Sequence, residues 1–150
     1  MRIQGRVAHT LSSFQRIWSK RTPNFNRTVA YGQDTTYNQV MIEDTFRKIK
    51  SRLEQSPELS EKHRQELDEM IQSLAEQTAE LSKTRPEDSK SISEFANLST
   101  QEAVRNSKRP DLLRHSLDGL SASVIGMEAE HPQIAGLVNR LCSHLSNMGI

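Results

Sequence analysis

Residues 130–150 read EHPQIAGLVNRLCSHLSNMGI. Ile134, Leu137, Val138, Leu141, Leu145 and Met148 recur at steps of three and four, the spacing that stacks side chains on one face of an α-helix. Pro132 stands where a helix best tolerates proline, in the first turn, because its missing N–H has no intrahelical partner there. The rhythm therefore predicts an amphipathic helix opened by Pro132. Its end, Met148-Gly149-Ile150, predicts a C-terminal cap, with Gly149 in the left-handed conformation that stops helices and Ile150 folded back on the last turn. The alternative is a partner's handle that uses the carboxylate of Ile150.

The same punctuation recurs toward the N-terminus. Pro110 precedes Leu113, Leu117, Leu120, Val124 and Met127, with Asp111 near the positive end of that helix. Ser56-Pro57 precedes a longer stripe of Leu67, Met70, Ile71, Leu74, Thr78 and Leu81, and Ile42, Phe46, Ile49 and Leu53 form another before it. Between Pro86 and about Ser107 the pattern weakens to Ile92, Phe95, Ala96 and Leu98 among many Ser and Asn, which predicts a shorter or frayed helix and a weakly ordered middle near residues 84–109. No alternating β pattern competes, and Asp118-Gly119 lies inside a helical stripe, where it reads as a tolerated glycine rather than a turn.

With 34% hydrophobic, 5% aromatic and 26% charged residues, the chain suits helices that each offer a narrow apolar stripe. Three stripes keep close to the 3.5-residue spacing of a coiled coil but last only two to three heptads. The expected fold is all-α, a helical hairpin or small bundle of four to five amphipathic helices. So thin a core predicts a homo-oligomer, with Leu67, Leu74, Leu81, Leu117, Val124, Leu141 and Leu145 as packing or self-association residues.

Residues 1–40 are unlike the rest. They carry six basic residues against one acid, Asp34, and most of the aromatics, including Trp18, whereas the remainder is net acidic. This composition predicts a largely disordered basic extension. Val7, Leu11, Phe14 and Trp18 follow helical spacing beside Arg16 and Lys20, a pattern shared by targeting segments and surface-lying amphipathic helices. Met41 opens a clean helical pattern, so a start placed too early is a competing explanation for this segment.

Chemistry is sparse. His63, His115, His131 and His144 read as isolated, so no metal ligand set is predicted. Cys142 borders the last apolar stripe and reads as a packed thiol rather than a nucleophile; as a single cysteine it leaves no intrachain disulfide. Glu66, Glu69, Glu76 and Glu80 read as a solvated helix face. Phosphate-loop motifs are absent, so no catalytic residue, cofactor or specific nucleic-acid site is expected. No apolar run reaches the roughly 20 residues of a transmembrane helix.

Glu130-His131-Pro132, Ile134, Leu137, Leu141 and Leu145-Ser146-Asn147-Met148-Gly149-Ile150 resemble the closing signature of a small, uncharacterised bacterial family, the domain of unknown function four-four-zero-four. The resemblance covers residues 124–150. It implies a short helical protein with a charged hairpin near its start and a variable middle, and no catalytic residues to carry over. The basic front and the long middle depart from that pattern. The expected function is a non-enzymatic cytoplasmic interaction or assembly module that self-associates. The alternative is a peripheral membrane or organelle-targeted protein addressed by its basic N-terminus.

Overall fold

A computed structural model describes residues 33–149, and the described residues form five helices and no strand. They are α1 (Gln33–Glu54), α2 (Glu61–Leu81), α3 (Pro86–Val104), α4 (Pro110–Ala122) and α5 (Pro132–Gly149). The all-α expectation holds. The readings placed on Val7 to Trp18 lie outside the described residues.

The boundary expected at residue 40 moves. Helix α1 begins at Gln33 and carries Met41 in its interior, so Met41 does not open the helix. The reason is local: no Gly or Pro interrupts the chain between Gly32 and Pro57. Salt bridges from Arg47 to Glu43 and from Lys48 to Asp44 add i,i+4 support on its outer face.

Three prolines occupy the sites expected of them, as the first residues of α3, α4 and α5. Pro57 instead lies in the loop before α2, whose start is set by Ser60: the Ser60 hydroxyl accepts a hydrogen bond from the His63 amide, a side-chain N-cap. Helices α3 and α4 follow arginines that make no side-chain cap bond, and each arginine pairs with an acid in the first turn. Arg85 Nε donates to Asp88 at 2.7 Å, and Arg109 Nη2 lies 3.1 Å from Asp111. The Arg109 hydrogen bond, helped by the Leu112 amide, holds the Asp111 carboxyl below the usual carboxylate range.

The expected weak middle is the centre of the bundle. Helix α3 packs against all four other helices. Its buried face is Ser89, Ile92, Ser93, Ala96, Ser99, Thr100, Ala103 and Glu102, the last paired with Arg105, and the serines and alanines among them let four neighbours come close. Burying hydroxyls in an apolar interior costs free energy unless they are bonded. Most are bonded to their own helix: Ser89 to the Arg85 carbonyl, Ser93 to Lys90 and Thr100 to Ala96. A hydrophobicity pattern misses such a helix because its packing depends on small volume.

Phe95 explains a second difference. The Gly119 backbone in α4 runs so close to the Phe95 ring that an added Cβ would lie 2.6 Å from Cδ1 and 2.8 Å from Cζ. Gly119 is helical, as expected, yet it is required rather than tolerated: the missing side chain is the notch that seats the ring.

The α4 stripe outlasts its helix. Helix α4 ends at Ala122, but Val124 and Met127 stay buried from the following turn. Gly126 makes that turn with φ +86°, a conformation other residues rarely adopt. Around α3 the remaining helices close the core with Ile42, Phe46, Ile49 and Leu53 of α1, the α2 stripe, and Ile134, Val138, Leu141 and Leu145 of α5. Helix α5 packs against α2, α3 and α4, which brings the end of the chain beside the start of α2.

Candidate functional site

The residues expected to mediate self-association are spent inside one chain. Leu67, Leu74, Leu81, Val124, Leu141 and Leu145 are all buried in its core, and Leu117 packs partly buried against it. They are packing groups, and none is free to dock on another chain. Helix α5 runs to Gly149, with Met148 half-buried against the core. Ile150 lies outside the described residues, and with it the fold-back contact of the expected cap.

Apolar surface remains exposed at the start of α1. Tyr37, Val40 and Met41 are 64%, 38% and 41% exposed and sit at i, i+3 and i+4 on one face. One residue further on, Ile42 turns into the core with Phe46 behind it. Helix α1 thus presents two apolar faces in its first half, one covered by the bundle and one left exposed among the described residues.

Cys142 is half-buried. Its Sγ lies 3.5 Å from the Ser121 hydroxyl and 3.8 Å from the Leu117 carbonyl. Burial pushes the thiol up, against a smaller pull from Ser121, which keeps it protonated and poorly nucleophilic. This agrees with a packed thiol. Glu69 and Glu80 are exposed as expected, while Glu66 and Glu76 are half-covered.

The histidines are not all isolated. His63, in the first turn of α2, and His144, near the end of α5, meet with ring centroids 5.4 Å apart and planes at 85°. Glu66, one turn along α2 from His63, reaches the same point, its Oε1 3.3 Å from His144 Nε2. One ligand atom from each of the three lies within 4.8 Å of the others. The contact between His144 and Glu66 lacks hydrogen-bond geometry, and the buried Nε2 has no hydrogen-bond partner among the described residues. On one side a groove passes Glu66, Glu69, Arg140 and His144, and on the other a cleft passes His63, Lys108 and Met148; Asn147 borders both. His115 and His131, by contrast, belong to no such cluster among the described residues.

Half of this cluster is written in the sequence. His63-x-x-Glu66 at i,i+3 puts two ligand types on one helical face, a pair missed when the histidines are read as isolated. The other half is tertiary: His144 arrives only because α5 packs on α2. No protein-family model, curated protein or solved structure matches the chain. No helix among the described residues is long and apolar enough to cross a membrane.

Proposed function

We propose that this chain is a non-enzymatic, cytoplasmic helical interaction module that pairs with a second copy of itself through the first half of α1. The bare face of Tyr37, Val40 and Met41 carries the proposal. A patch of this kind is self-complementary across a two-fold axis, since the same apolar side chains meet on both sides. Its size sets its strength. Three side chains fall well short of the roughly 800 Å² per partner of a standard interface, so association is weak and concentration-dependent. The likeness of residues 124–150 to the small bacterial helical family belongs to the same proposal; it bears on the fold and brings no catalytic residue to this chain.

Sedimentation equilibrium on the full chain tests this reading, comparing wild type with Tyr37→Glu/Met41→Glu. Both positions are exposed, so the variant keeps its core. Wild type should associate reversibly at high micromolar concentration and the variant should sediment as a monomer. A wild type that stays monomeric at millimolar concentration refutes the proposal.

A further inference from the structure

We infer that His63, Glu66 and His144 form a binding site for one divalent transition-metal ion of the zinc class, bridging the start of α2 to the end of α5. The groups that converge there are two imidazoles and a carboxylate, each offering a lone pair. Lone pairs aimed at one point repel unless a proton or a cation lies between them. A shared proton would appear as a hydrogen bond between His144 and Glu66, yet their 3.3 Å contact lacks that geometry, and His144 Nε2 is shielded from solvent with no hydrogen-bond partner among the described residues. A cation satisfies all three groups at once.

The ligand chemistry selects the metal. Two imidazoles favour zinc, cobalt, nickel or copper, whereas magnesium and calcium take oxygen ligands. Zinc bonds nitrogen and oxygen at about 2.0–2.2 Å, which puts tetrahedral ligand atoms about 3.3 Å apart. The present spread, within 4.8 Å, must contract. His63 is the residue asked to move, since it is exposed in the first turn while Glu66 and His144 are more enclosed. Glu66 and His144 are half-buried and already at 3.3 Å.

Three protein ligands leave a coordination position open to the grooves beside Asn147, the arrangement of an exchangeable ion rather than a closed structural site. Nearby charges do not oppose binding as a set, because Glu69 and Arg140 line one groove with opposite sign, and Glu58 and Lys108 do so in the cleft on the other side. The positive end of α2 disfavours a cation by about 0.3–1 kcal/mol, a small term beside metal–ligand bonding.

Cobalt(II) titration of the full chain, followed by visible absorption and reversed with EDTA, tests the site. Wild type should bind one equivalent, with absorption bands of a four- or five-coordinate ion, and zinc should displace it. Zinc should also raise the thermal midpoint, because an ion held only by the folded chain stabilises it. His63→Ala, at an exposed position in the first turn of α2, Glu66→Gln, a near-isosteric change one turn further on, and His144→Ala should each weaken cobalt binding by about tenfold or more, since loss of a ligand costs at least as much as loss of a group supporting one. His115→Ala, at an exposed position on α4, should change nothing. Circular dichroism reports whether each variant folds, and Glu66→Gln keeps the inference testable if His144→Ala does not. Absence of cobalt bands in wild type, or one-equivalent binding that survives Glu66→Gln and His63→Ala unchanged, overturns the inference.

Discussion

Gly119→Ala sets two physical effects against each other, and the structure decides the sign. Alanine is the better helix former, so propensity alone makes the substitution stabilising by about 1 kcal/mol. The new methyl, however, would lie 2.6 Å from Phe95 Cδ1 and 2.8 Å from Cζ, where nonbonded carbons settle at about 3.5–4.0 Å. The obstacle is the edge of a rigid ring, so a torsion at the tip of a flexible chain cannot relieve it. Phe95 must move as a unit against the partly buried packing around it, or α3 and α4 must separate. Overpacking of this sort typically costs about 1–3 kcal/mol, which outweighs the propensity gain and leaves a net loss of about 1 kcal/mol. Gly136 in α5 is the control: an added Cβ meets nothing within 4 Å, so Gly136→Ala should stabilise by about 0.5–1 kcal/mol. Urea denaturation followed by circular dichroism measures both, with an unchanged slope showing that the surface exposed on unfolding is the same in each variant. Phe95→Leu removes the ring edge and should abolish most of the Gly119→Ala cost in a double-mutant cycle. If Gly119→Ala stabilises as much as Gly136→Ala, or if its cost persists with leucine at 95, the notch is not what the glycine provides.

Two further outcomes follow from buried polar groups. Ser99 Oγ is buried in α3 with no hydrogen-bond partner among the described residues, so Ser99→Ala should raise stability by about 0.5–1.5 kcal/mol; a loss in denaturant melts would contradict the account of that helix face. Burial raises the Glu43 carboxyl above its ordinary value of 4.5, opposed by Arg47 and assisted by Asp44. The native state therefore keeps this proton where the unfolded chain has lost it, a contribution fully present below the unfolded value and lost as pH rises through the folded one. Glu43→Gln should then gain on wild type as pH rises from about 4 to 7 in thermal melts. An advantage that shrinks with rising pH would show that the Arg47 pair outweighs burial.

The helices that read clearly in the sequence are those whose buried face is aliphatic. Ile42 to Leu53, Leu67 to Leu81 and Ile134 to Leu145 mark their helices because their apolar residues at helical spacing are buried, with Met70 partly so. Helix α3 reads as short and frayed, and not as the full Pro86–Val104 helix, for the opposite reason. As the central helix it needs a small cross-section, and serine and alanine supply one with side chains that carry almost no hydrophobic signal. The α4 stripe misleads at its end because burial continues past Ala122 into a turn, so an apolar position there does not imply helix. Leu117 and its counterparts were legible as packing groups, but a stripe does not say whether the surface covering it belongs to the same chain. The His63, Glu66 and His144 cluster was legible only in its α2 half, because the meeting of distant helices is a property of the bundle and not of any local spacing.

The serines of α3 have one more consequence. A hydroxyl that donates to its own helix has no proton left for a neighbour, and no hydrogen bond joins Ser89, Ser93 or Thr100 to another helix among the described residues, so much of the buried wall of α3 is smooth. Smooth walls permit sliding. The axial setting of α3 must then come from a few keyed points: the Phe95 ring in the Gly119 gap, and the bond from Arg52 Nη1 to Asn97 Oδ1 at 2.6 Å. Removing both keys would leave the secondary structure and most of the buried area in place while the helix loses its one address along the bundle.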